Sequence, residues 1–181
     1  LIGTKTVSFT AKVPSSVVPS ISALTVAEAT TGLAAQFGAY IQNKSKLKVT
    51  ITAAGSYSST IKSYKTTIAG KSYTASSFTS GVLTSSGTVT ISTTVTDSRG
   101  RTATKSSTVS VLAYTAPKIT KLSSWRTNAG VQATMNFAIA SLGDKNAKSY
   151  VLSYKPKTGD TWLQLASGSV YTYNSSQTFS E

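Results

Sequence analysis

The sequence predicts an all-β protein built as antiparallel β-sandwiches in tandem. The first observation is the stretch 88–112, where Val89, Ile91 and Val95 alternate with Thr and Ser, the polar turn Asp97-Ser98-Arg99-Gly100-Arg101 follows, and Val109 and Val111 alternate with Ser again. Period-two apolar spacing on both sides of a glycine-containing turn describes a hairpin with one buried and one wet face. The second is composition. Ser and Thr make up about a third of the chain, yet 39% of the residues are hydrophobic and they alternate with the polar ones. A disordered chain would be poor in aliphatics, so the hydroxyl residues read as the solvent face of strands, where β-branched Thr is favoured. The third is the junction Ala113-Tyr114-Thr115-Ala116-Pro117, after which a new alternating run begins.

Taken in order, residues 1–13 alternate as one short strand through Ile2, Val7, Phe9 and Val13, with no partner nearby. Pro14 and Pro19 bracket a linker, because proline cannot donate to a central ladder. Residues 1–18 are therefore a flanking strand and linker, or the end of a preceding module. The first sandwich spans 19–114. Ser20 to Val26 opens it as an edge strand, and 27–41 reads as a long loop with a turn of helix. Lys44 to Ala53 reads as a strand with Leu47, Val49 and Ile51 inward and Lys44, Lys46 and Lys48 outward as a positive stripe. Ile61, Tyr64, Ile68 and Tyr73 are core or rim positions around a turn at Ala69-Gly70-Lys71, and Val82-Leu83 is a short strand.

The second sandwich, 115–181, is best patterned at Val131, Ala133, Met135, Phe137 and Ile139. Tyr150, Leu152 and Tyr154 form the next face, and Pro156 to Asp160 turns the chain back to Trp162, Leu163 and Leu165. At roughly 65 residues it is short against the ~100 of a complete immunoglobulin sandwich, so it is expected to be incomplete. Trp162 is expected in its core. Trp125 and Arg126, with Tyr171 and Tyr173, are the candidate glycan-contact residues, since exposed aromatics stack on sugars.

Lys and Arg number 18 against 5 Asp and Glu, a net charge of +13. Such a bias favours anionic partners, while scattered lysines also blunt sheet edges. No run of five or more basic residues occurs, and aromatic–basic pairs are limited to Tyr64-Lys65 and Tyr154-Lys155, so the pattern points away from nucleic acid. The candidate anionic-surface contacts are Lys44, Lys46 and Lys48.

The chain has no His and no Cys. Histidine-based triads, thiol catalysis and structural zinc are thereby excluded, and no disulfide is available. A glycosidase needs two carboxyl groups about 5–9.5 Å apart. The acids here are Glu28, Asp97, Asp144, Asp160 and Glu181, and Asp97, Asp144 and Asp160 sit in turn sequence, where Asp caps its own backbone. No phosphate-binding glycine loop and no clustered calcium ligands occur. No apolar run approaches the ~18 residues that span a bilayer. The sequence predicts no enzyme, no cofactor, no metal site and no membrane span.

The residues Thr96, Asp97, Ser98, Arg99, Gly100, Arg101, Thr102 and Ala103, followed by Val111, Ala113, Tyr114, Ala116, Pro117 and Ile119, carry a resemblance. They are similar to a "tDsrGrta" hairpin and a "v.aY.aP.i" junction in the Ig-like and fibronectin-type modules of minor structural proteins of long-tailed phages that infect Gram-positive bacteria. Residues 61–73 also fit that pattern. The resemblance implies tandem Ig-like and fibronectin III-like sandwiches in a virion component, a tail tip or fibre appendage. It implies other virion proteins as partners, several copies in an assembly, and exposure to the host surface, where the basic charge suits contact with an anionic host cell-wall glycopolymer. It carries over no catalytic or ligand residues. The rival readings are a bacterial cell-surface adhesin or stalk repeat, and a carbohydrate-binding module of a cell-wall lytic enzyme.

Overall fold

The computed structural model describes residues 3–179, and for 172–179 the backbone. The protein is all-β. In chain order the elements are β1 (Ser20–Glu28), the short helix α1 (Leu33–Phe37), β2 (Tyr40–Ile41), β3 (Leu47–Ala54), β4 (Ile61–Ile68), β5 (Lys71–Tyr73), β6 (Ser77–Thr79), β7 (Gly87–Asp97) and β8 (Thr102–Leu112). There follow β9 (Lys118–Thr127), β10 (Gly130–Ala138), a 3-10 turn (Leu142–Asp144), β11 (Tyr150–Tyr154), β12 (Leu163–Gly168) and β13 (Thr172–Phe179). The sheets run β1-β3-β6, β2-β8-β7-β4-β5, β13-β10-β9 and β11-β12.

The chain divides into two compact units. One gathers residues up to 29 with 47–81 and 90–108; the other gathers 30–46, 82–89 and everything from 109 onward. In the first unit, Leu47, Val49 and Ile51 of β3 are buried and alternate with exposed Lys48, Thr50 and Thr52. Ile68 on β4 and Ile91 and Val95 on β7 are buried in the same way. Thr66 and Thr93, directly opposite on β4 and β7, are also buried, with their hydroxyl oxygens 2.8 Å apart. This hydrogen bond satisfies polar atoms that a core would otherwise leave stranded. In the second unit, Met135, Phe137 and Leu152 form a buried cluster, with Ile139, Tyr150, Leu165 and Ala166 packed against it.

Four expectations need correction. Residues 3–13 form no strand: Val7 and Phe9 are 76% and 88% exposed. Alternation marks a segment able to pair, but a strand needs a neighbouring edge. The strand expected from Lys44 begins at Leu47, because Asn43 has φ 61° and the chain turns there, with Ser45 N–H bonded to Ile41 O. Val82 and Leu83 form no strand. Leu83 is buried and exchanges two isolated hydrogen bonds, to Ser45 O and from Asn43 N–H. Trp162 is 66% exposed, in the loop ahead of β12, and does not fill a core.

Candidate functional site

The Asp97 turn is the most tightly built polar feature of the first unit. Asp97 ends β7, and its Oδ1 accepts the N–H groups of Arg99 and Arg101, each at 2.9 Å. Its own N–H donates to Arg101 O, and Gly100 N–H donates to Asp97 O. Gly100 has φ 78°, a left-handed conformation that glycine adopts without a Cβ penalty. Asp97 is fully enclosed. Burial alone would raise its pKa, but the Arg101 N–H, the Ser59 hydroxyl, the Arg99 N–H and the Arg99 charge together hold it below the ordinary value of 3.8. Asp97 Oδ2 accepts no hydrogen bond, and the Ser59 hydroxyl gives its proton to Ser56 O at 2.9 Å.

The two arginines of the turn face outward from it and bind main chain. The Arg99 guanidinium donates to Ser56 O at 2.7 Å and to Tyr57 O. The Arg101 guanidinium donates to Val17 O and Val13 O, each at 2.6 Å. Farther along β8, Lys105 Nζ donates to Ser22 O at 3.0 Å and Ile21 O at 3.4 Å. Ser22 is the extra residue at the register shift between Ile21 and Ala23, the mark of a bulge in β1. An ionised carboxylate fixed by backbone donors, with both neighbouring arginines committed to carbonyls, fastens a turn. It is poorly placed to move protons.

Lys44, Lys46 and Lys48 are all exposed and alternate with buried Ser45, Leu47 and Val49. Only Lys48 lies on β3; it stands opposite Ala27 on β1 and Thr79 on β6. Lys44 Nζ lies 5.3 Å from the centre of the Tyr114 ring, within cation–π range.

The aromatic candidates are not brought together. Trp125, 44% exposed, stands opposite Gln132 on β10, while its neighbour Arg126 stands opposite Val131 and so lies on the other face of β9. Tyr171 lies at the far end of β10, where its carbonyl accepts Ile139 N–H. The two aromatics are on the order of 20 Å apart at ~3.3 Å per residue. Lys148 Nζ sits 3.7 Å from the Tyr171 ring centre, and the Tyr171 hydroxyl bonds Asn146 Oδ1 at 3.2 Å. One face of the ring is thus occupied. The Tyr173 side chain lies outside the described residues.

The second unit carries a concavity that the sequence pattern does not announce. It has a volume of about 870 Å³ between β9–β10 and β11–β12. Leu122, Val131, Leu152 and Leu163 line it, and Tyr154, Lys155 and Lys157 come from the end of β11 and the turn beyond it. A second hollow of about 320 Å³, lined by Lys118, Ile119, Phe137 and Val151 among others, lies along the same strands. The available sequence signal was the Lys155-Pro156-Lys157 turn after Tyr154, beside apolar Trp162 and Leu163. Among the described residues, no three His, Cys, Asp or Glu side chains come together, and no helix is long and apolar enough to cross a membrane.

Strands with hydroxyl and lysine exteriors, a turn fastened by its own charges and an apolar groove make up an all-β protein. The chain belongs to the family described as "Siphovirus protein of unknown function (DUF859)", whose model matches residues 1–148. It is a phage protein of the siphovirus type. No curated protein and no solved structure matches it.

Proposed function

We propose that the chain is a non-catalytic structural component of a siphovirus virion, carried on a tail-tip or fibre appendage. Membership of a siphovirus family over residues 1–148 is the observation that carries this reading. It favours a phage component over a bacterial adhesin or a lytic-enzyme module. The finer architecture we propose is an Ig-like sandwich over 19–114 followed by a fibronectin III-like one from 115. Outward Thr, Ser and Lys against inward Val and Ile on β3 and β7 support it. Its partners are other virion proteins, in several copies. Immunogold electron microscopy with an antibody to residues 19–114 tests the placement: label at the tail end supports it, and label confined to the capsid refutes the appendage.

The exposed Lys44, Lys46 and Lys48 and the net charge of +13 favour a second role, contact with an anionic polymer of the host wall. Exposed charge pairs weaken with salt. The chain should therefore co-sediment with purified Gram-positive cell walls at low ionic strength and be released by salt. Failure to bind at low ionic strength sinks this role.

A further inference from the structure

The groove of the second unit is the pair of hollows that border β9, one at Lys118 and Ile119 and the other from Leu122 to Ser124. Ile119 stands opposite Phe137 and Leu122 opposite Met135, so all four lie on the face of the sheet that lines it. Ile119 is 58% exposed, Leu122 63% and Leu163 44%, although each is a large apolar residue lining one of the two hollows. Isolated exposed apolar residues are ordinary, but a contiguous strip of them beside a cavity marks a contact surface. Among the described residues β9 pairs within its sheet with β10 alone, so its other edge is an outer one. From Ile119 to Ser124 the strip runs on the order of 15–20 Å at ~3.3 Å per residue. That length suits an extended chain better than a compact ligand.

Charge selects the occupant. Among the described residues, the basic ones lining the two hollows are Lys118, Lys155 and Lys157, and no Asp or Glu lines either one. A second copy of this chain would bring +13 of its own, and its five acids are scattered singly along the sequence. It has no acidic extended segment to offer. We infer that the groove accepts an extended segment of a different protein, apolar at alternate positions and flanked by carboxylates, which adds as a strand to the β9 edge. The alternate side chains fill the strip at Ile119 and Leu122, and the carboxylates meet Lys118, Lys155 and Lys157. The inference stands whether or not the chain is placed on the tail.

The test uses the whole chain and two synthetic peptides of about nine residues, each with an alternating Val-Thr core, one flanked by Glu and one by Lys. The Glu-flanked peptide should bind at least about tenfold more tightly than its Lys-flanked counterpart, and lose most of that margin at high salt. Hydrogen exchange should slow at residues 119–124 when it binds. Leu122→Glu changes an exposed side chain, so the fold persists, and binding should fall by about tenfold or more. Lys155→Glu combined with Lys157→Glu should transfer the preference to the Lys-flanked peptide. Equal affinity for the two peptides, binding of neither, or protection elsewhere overturns the inference. Protection of 119–124 that rises with protein concentration and no peptide also overturns it, in favour of a second copy.

Discussion

Leu122 and Met135 stand directly opposite each other on β9 and β10, yet Met135 is 4% exposed and Leu122 63%. The pair marks the point where the apolar face of the second unit passes from covered to open. Met135→Ala should therefore cost about 2–5 kcal/mol, the range for emptying a buried site. Leu122→Ala should cost under about 1 kcal/mol, because its side chain loses little contact. Urea denaturation of the two variants measures both; equal losses would mean that Leu122 is covered.

Thr66 and Thr93 form a buried hydroxyl pair. Thr66→Val keeps the shape and strips Thr93 of its partner, so it should destabilise by about 1–3 kcal/mol. The double variant with Thr93→Val removes both polar atoms and should recover most of that loss. A double-mutant cycle in urea checks the sign of the coupling. Additive losses would show that each hydroxyl has another essential partner.

Asp97 sets an acid limit. Its pKa is lowered in the folded protein, so the unfolded chain takes up the proton first as pH falls. The stabilisation is present in full above the unfolded-state value and is lost as pH drops through the folded-state value, below 3.8. Between about pH 7 and pH 3 the urea midpoint should fall, and Asp97→Asn should flatten that dependence. Asp97→Ala should be worse than Asp97→Asn at neutral pH, since Asn retains an acceptor for the Arg99 and Arg101 N–H groups. A pH profile identical in wild type and Asp97→Asn contradicts this.

Arg101 holds the segment ahead of β1 through Val13 O and Val17 O. Arg101→Ala should raise limited proteolysis between residues 13 and 19 several-fold while changing global stability by about 1 kcal/mol, as expected of a partly exposed charge contact. Arg101→Lys should be intermediate, because a point charge cannot reproduce the planar fork. Unchanged cleavage would mean that the segment is held by other contacts.

Strict alternation made the all-β class and most of the first unit legible. β3, β7 and β8, the turn at Ala69-Gly70 and the Asp97 hairpin all follow from it. What hid the rest was a recurring irregularity. Ile119 and Leu122 are three residues apart, which should put them on opposite faces, but they face Phe137 and Met135, two apart, because β9 carries an extra residue between them. The same holds for Ile21 and Leu24 against Ala53 and Ile51, and for Ile61 and Tyr64 against Asp97 and Val95. A bulge resets the phase of a strand without a marker in residue type. β9, and with it the groove, was therefore invisible to a period-two reading. Trp162 was misplaced for a related reason: apolar character announces burial only where a second layer reaches the site, and beside Leu163 it does not. The sequence marks the arginines of the Asp97 turn only as polar turn residues, because their grip on carbonyls at positions 13, 17, 56 and 57 depends on contacts distant in sequence.

The central claim is that this siphovirus protein is a building part of the particle. Quantitative mass spectrometry of gradient-purified virions, set against lysate of infected cells, tests it most directly. The account predicts peptides from residues 19–114 co-purifying with the tail proteins at a fixed ratio of several copies per particle. Abundant peptide in the lysate with none in the purified particles would contradict it.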